Sequence, residues 1–204
     1  MIMEDLFNFE KKSVTKTNIK GNIKTISNEE KKDLRQYNRD ENCEIMLNEL
    51  GGFPKPNTYL AIKTNGQSDA GSYFNYALKN WDEITEMYLA TWTISKQNIK
   101  RIKEGIETGK VKRLVMVFSS TLKAANPSLY ANLMLNLNGF KNVELKEINS
   151  HAKTYSMTNG SDYITISGSA NWSENPRIEN YLILNDKELF NHHKEWMTEL
   201  SQLT

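Results

Sequence analysis

The chain has 204 residues, a formal net charge of +1 and 38% hydrophobic residues. That length supports one sizeable core rather than two, and the near-zero charge excludes a global field that would by itself draw in a polyanion. A lone cysteine, Cys43, excludes an internal disulfide and agrees with a reducing, cytoplasmic setting, while no apolar run reaches the length of a membrane span.

Residues 1 to about 27 are polar, rich in Lys and Asn, and show no hydrophobic period, which predicts a flexible arm. Glu4 and Asp5 come early and no extended apolar stretch follows, so the segment does not read as a secretory signal. Phe7 and Phe9 are candidate anchors for the arm, and Lys11, Lys12, Lys16, Lys20 and Lys24 follow with no acid between them. Ser27, with Glu29 and Glu30 behind it, opens a helix that is expected to break between Asn38 and Asn42 and to resume as far as Leu50. Gly51, Gly52, Pro54 and Pro56 then mark a boundary. The division is an N-terminal arm and helical lead-in over 1–50 and a folded domain over 51–204.

The body alternates. Strands are expected over 58–64, 86–93, 113–119 and 143–148. Between them come a helix over 69–81, with Phe74, Ala77, Leu78 and Trp81 at helical spacing, and a basic helix capped by Ser95 that runs to Thr108. A third helix is opened by Pro127 and Ser128 and ends at Leu137. A strand over 152–158, turn chemistry over 159–162 and a returning strand over 163–167 make a hairpin. A strand over 178–184 and a helix over 187–203 close the chain. Such alternation predicts an α/β sheet with helices on both faces.

The hairpin brings the start of one strand beside the end of the other, so His151 and Lys153 should lie near Ser169 and Asn171, with Glu179 a short way on. An imidazole, an ammonium, a hydroxyl, a carboxamide and a carboxylate in one place can attack and hold a phosphodiester without a metal. Histidine serves as a covalent nucleophile. Lysine and polar donors stabilise charge on a phosphoryl group, and a carboxylate on one ring nitrogen fixes the tautomer.

The pattern His151-x-Lys153, hairpin, Gly168-Ser169-x-Asn171, then Glu179-Asn180-Tyr181-Leu182-Ile183 resembles the phospholipase D superfamily and its HKD motif. It is most similar to the nuclease-like branch of bacteria and phages that carries one motif per chain. The excess of lysine over arginine, with abundant Asn and Ile, fits such an A- and T-rich source. The resemblance implies a mixed central β-sheet flanked by helices on both faces, with no cofactor. It implies that His151 attacks phosphorus and becomes phosphohistidine. Lys153 and Asn171 would hold the non-bridging oxygens, Ser169 would support the phosphate or the imidazole, and Glu179 would accept the proton on the other ring nitrogen of His151 and so orient it. A second histidine is needed to protonate the leaving oxygen, so one motif per chain implies a homodimer. The family usually has Asp five residues after the Lys, where this chain has Thr158; Asp162 comes four residues later, in the turn.

The reading is therefore a phosphodiesterase acting on nucleic acid, with DNA as the expected partner. The alternative is an inactive module that keeps the phosphate pocket. A lipase is a weaker third choice, because apolar lipid-binding loops are not evident. Backbone contacts are expected from Lys96, Lys100, Arg101 and Lys103, although a lysine run is equally a solvated face. Trp172 follows Asn171 directly, so it either packs under the motif or forms a wall of the cleft. Tyr59, Tyr73, Trp92, Tyr130 and Tyr155 could stack bases or could be core and cleft lining.

Overall fold

The computed structural model describes residues 28–173 and 177–200. The arm with its lysines, Phe7 and Phe9 lies outside the described residues, as does the end of the last expected helix. The order of elements is α1 (Asn28–Glu49), β1 (Thr58–Asn65), α2 (Ala70–Asn80), β2 (Glu86–Thr91), α3 (Lys96–Glu107) and β3 (Leu114–Ser119). Then follow α4 (Leu122–Ala125), α5 (Pro127–Leu137), β4 (Val143–Ile148), β5 (Thr154–Thr158), β6 (Tyr163–Gly168), β7 (Ile178–Asn185) and α6 (Lys187–Glu199).

The strands form one sheet in the order β1-β7-β6-β5-β2-β3-β4. β2, β3 and β4 pair in parallel, and the remaining neighbours are antiparallel. Parallel neighbours need long crossovers, and α3 and α5 supply them. The helices start where local chemistry directs. Asp69 and Ser72 form a reciprocal capping box for α2. Ser95 accepts from Asn98 N at 3.2 Å to start α3, and Asn126 caps α5 with Pro127 in its first turn.

Side-chain alternation in the strands divides the core between two faces. Met87 and Leu89 of β2 and Leu114, Met116 and Phe118 of β3 meet Ile99, Ile102 and Ile106 of α3 and Leu129, Leu133 and Leu137 of α5. Tyr88, Ala90, Val115 and Val117 point the other way, to Phe190 and Met197 of α6. The sheet is thus mixed and flanked by helices on both faces, as the sequence predicts. Helix α6 lies over β2, β3, β5 and β6. Beyond its reach Tyr59, Lys63, Ile178 and Leu182 remain exposed on β1 and β7.

Helix α1 departs from expectation by running unbroken through residues 38–42. Its buried stripe is Gln36, Arg39, Asp40, Cys43 and Leu47. Arg39 reaches Asp69 at 3.9 Å and donates to Gly66 O at 3.2 Å, and Arg101 of α3 pairs with Asp40. The stripe has the helical period but is charged, so a hydrophobic reading takes it for a break. Removing one member of such a buried pair typically costs about 3–5 kcal/mol. Burial pushes the Asp69 carboxyl up, against the opposing pull of Arg39.

Candidate active site

Strand direction gathers the chemistry at one edge of the sheet. Thr154, at the start of β5, pairs with Ala90 near the end of β2 and with Ser167 near the end of β6. Gly168 pairs with Tyr181 of β7, and Thr64 of β1 pairs with Glu179. His151, Lys153, Ser169, Asn171 and Glu179 therefore come to one place. The caps of α2, α3 and α5 follow the ends of β1, β2 and β3, so three capped helix N-termini, with the positive ends of their dipoles, lie at this edge.

His151 is exposed, and Lys153 Nζ stands 3.0 Å from its Nδ1 and donates to its backbone carbonyl at 3.1 Å. An ammonium has only protons to offer, so the ring nitrogen facing it presents its lone pair. Partial burial draws the Lys153 ammonium below its ordinary pKa, and Glu179 opposes that shift. Ser169 Oγ donates to Glu179 Oε2 and accepts from Asn180 N at 3.1 Å, which ties the motif to β7. Gly168 permits that approach: a Cβ there would meet Asn180 O at 2.3 Å. This is a physical reason for Gly before Ser in the motif. Asn171 is half-buried, and its Oδ1 has no hydrogen-bond partner among the described residues.

Trp172 lies beneath the motif. It is 2% exposed and packs edge-on to Tyr155 at 4.8 Å and tilted against Phe74 at 5.6 Å. Its carbonyl accepts from Ser95 N and Asn98 Nδ2, and its N–H donates to Thr91 Oγ1. An indole so enclosed anchors the motif to the loop before α3 and has no face to offer a ligand. Of the α3 cations, Arg101 is committed to Asp40, Lys100 lies 3.7 Å from Glu104, and Lys103 lies 3.7 Å from Glu107. Lys96 and Lys100 are exposed.

Trp92, just beyond β2, is one of the five aromatic residues that the sequence leaves open between base stacking and core or cleft lining, and its place beside His151 is what the sequence alone does not show. Its ring centroid is 5.7 Å from that of His151, and its Nε1 donates to Thr121 Oγ1 at 3.2 Å. The two residues meet only because β2 pairs with β5, which no local pattern reveals. Thr158 lies at the other end of β5, roughly 13 Å from Thr154 at the usual rise per residue. It donates to Asp162 O at 2.6 Å and accepts from Gly160 N at 3.0 Å. The departure from the family pattern therefore falls in the hairpin turn, away from the His151 cluster.

Compared with protein families and with curated proteins, the sequence matches none. The solved structures that resemble the fold include TrmBL2, Nuc and a polyphosphate kinase. TrmBL2, an archaeal chromatin protein, has a TM-score of 0.51 at 14% identity, over 85% of this chain and 63% of that one. Nuc from Salmonella typhimurium, a phospholipase D family member, has 0.48 at 15% identity, over 70% of this chain and 92% of that one. Polyphosphate kinase from Porphyromonas gingivalis has 0.48 at 13% identity, over 70% of this chain and 26% of that one. The architecture is an α/β fold, a mixed seven-stranded sheet flanked by helices, which TrmBL2 shares. Among the described residues, no helix is long and apolar enough to cross a membrane.

Proposed function

We propose that this protein is a metal-independent phosphodiesterase, a nuclease acting on DNA through a phosphohistidine intermediate at a site shared by two copies of the chain. The observation that carries the reading is the imidazole of His151 beside the ammonium of Lys153, 3.0 Å apart at an open sheet edge, with Ser169 and Glu179 behind them. A ring nitrogen of His151 forms a bond to phosphorus as the P–O bond to the leaving alcohol breaks. A second histidine gives its proton to that oxygen and later takes one from water. Water then attacks phosphorus, the P–N bond breaks, and His151 is restored. Lys153 and Asn171 hold the non-bridging oxygens, and Glu179 takes its orienting role through Ser169 or on the ring.

The second histidine supports a homodimer. The chain has three histidines. His192 and His193 sit on α6, and the adjacent Lys194 pairs with Glu86 at the start of β2, the opposite edge of the sheet. An isologous contact would supply His151 from a second copy. TrmBL2, whose published description is of a mode of DNA binding, shares the fold and is compatible with a nucleic-acid partner.

The test is cleavage of single- and double-stranded DNA in EDTA by the full chain, with an alkaline quench and mapping of an acid-labile, base-stable phosphoryl group to His151. Expected are cleavage, a trapped adduct and a particle of twice the 23.6 kDa chain mass. If wild type and His151→Asn bind DNA equally and neither cleaves, with or without metal, the chain is a binding module instead.

A further inference from the structure

Three large aromatic rings crowd the site edge, and the structure separates them. Trp172 and Tyr155 are each 2% exposed, whereas Trp92 is 37% exposed. Trp92 is also held in place. Its Nε1 is tied to Thr121 Oγ1, which in turn shares a 2.8 Å hydrogen bond with the hydroxyl of buried Ser119 at the end of β3. One side of the indole leans on His151 at 49° between planes. A fixed, part-exposed ring beside the reacting imidazole needs little ordering to receive a flat ligand.

We propose that Trp92 is a base-stacking platform, and that the strand whose phosphodiester lies at His151 places an unpaired nucleobase on it. This rests on the nuclease reading and specifies the substrate as single-stranded or locally unpaired nucleic acid. A base inside a duplex is covered on both faces by its neighbours, so it reaches an indole only after unstacking. A single strand offers its base faces freely, and stacking tolerates any base. The same rim continues after β3 into the short helix α4. Lys123, two residues beyond Thr121, is exposed, with its ammonium 5.6 Å from the centre of the Tyr130 ring. It is placed to meet a phosphate further along the strand.

The experiment measures binding by fluorescence anisotropy in the full-length His151→Asn background, where turnover is removed. The probes are a labelled oligo-dT, an abasic strand of equal length and a duplex. Trp92→Ala should bind oligo-dT roughly ten- to a hundredfold more weakly, and Trp92→Phe should recover most of that loss. The abasic strand and the duplex should bind the parent more weakly than oligo-dT and should change little on Trp92→Ala. Quenching of intrinsic emission by oligo-dT should also be lost in Trp92→Phe. Equal losses on oligo-dT and the abasic strand would overturn the proposal and make Trp92 a general support of the site edge, not a surface for bases. No loss on oligo-dT, or tighter binding of duplex than of single strand, would overturn it as well. If no strand of any kind binds, the nucleic-acid reading itself falls, a result distinct from either of these.

Discussion

The two ends of the β5–β6 hairpin are built in opposite ways. At the turn, nearly every polar group has a partner. Asn159 Oδ1 accepts from Ser161 N and Asp162 N, and Thr158 Oγ1 bridges Gly160 and Asp162. Asn185, 2% exposed, donates to Pro54 O at 2.9 Å and to Asp162 Oδ1 at 2.7 Å, and accepts from Tyr163 N at 3.0 Å. At the other end His151 is exposed, Lys153 leans on it, and Asn171 Oδ1 is unpartnered among the described residues. A closed turn fixes register, and fixed register holds the open end in place without using up its donors and acceptors. Stability and chemistry are thus assigned to different ends of one element.

The contrast can be broken by substitution. The largest effect is expected from His151→Asn, which should lower cleavage by at least about a thousandfold while stability stays within about 0.5 kcal/mol of wild type. Urea unfolding beside a cleavage assay checks both, and a large stability loss would mean that the open end also holds the fold. Asn185→Ala should do the reverse. It removes three hydrogen bonds at a buried position and should cost about 2–4 kcal/mol, with the cleavage rate per folded molecule unchanged. Thr158→Val keeps the branched shape and deletes the hydroxyl, so it should cost about 1–2 kcal/mol and leave cleavage intact. A Thr158→Val variant that folds normally yet fails to cleave would show that the turn reaches the chemistry after all.

The smallest effect concerns α6, which lies over the middle of the hairpin. Burial first, and His192 second, push His193 down from 6.5 to about 4. The fold therefore favours the neutral ring, and the unfolded chain takes up the proton first on acidification. This contribution to stability is whole above pH 6.5 and is lost as the pH falls towards 4. Its size is modest because the ring is only partly enclosed. Urea midpoints of wild type and His193→Gln at pH 7 and pH 4.5 should show a smaller acid loss in the variant.

Most of the fold was legible because its signals are local. Pro127 and Leu137 bound a helix at the positions expected, and Val143–Ile148 is a strand from end to end. The clustering of His151, Lys153 and Ser169 followed from hairpin geometry alone. What the sequence hid depends on contacts between distant segments. Helix α1 runs through 38–42 because Arg39 and Asp40 meet partners 30 and 61 residues away. Trp92 reaches His151 across a strand pairing, while Trp172, next to the motif in sequence, turns inward. The short α4 has too few residues to show a period.

Cys43 turns the docking of α1 into something a stopwatch can follow. The residue is 1% exposed between α1 and the core, and burial foremost, with Asp40 and Asp69 behind it, pushes the thiol well above its ordinary range. A thiol neither reachable nor ionised reacts only during excursions that lift the helix. Because the chain has one cysteine, the rate at which a maleimide or disulfide reagent labels the native protein, set against a free thiol, reads the helix's opening equilibrium directly. Arg101→Met, which leaves Asp40 without its cation, should speed that labelling before any global unfolding is seen.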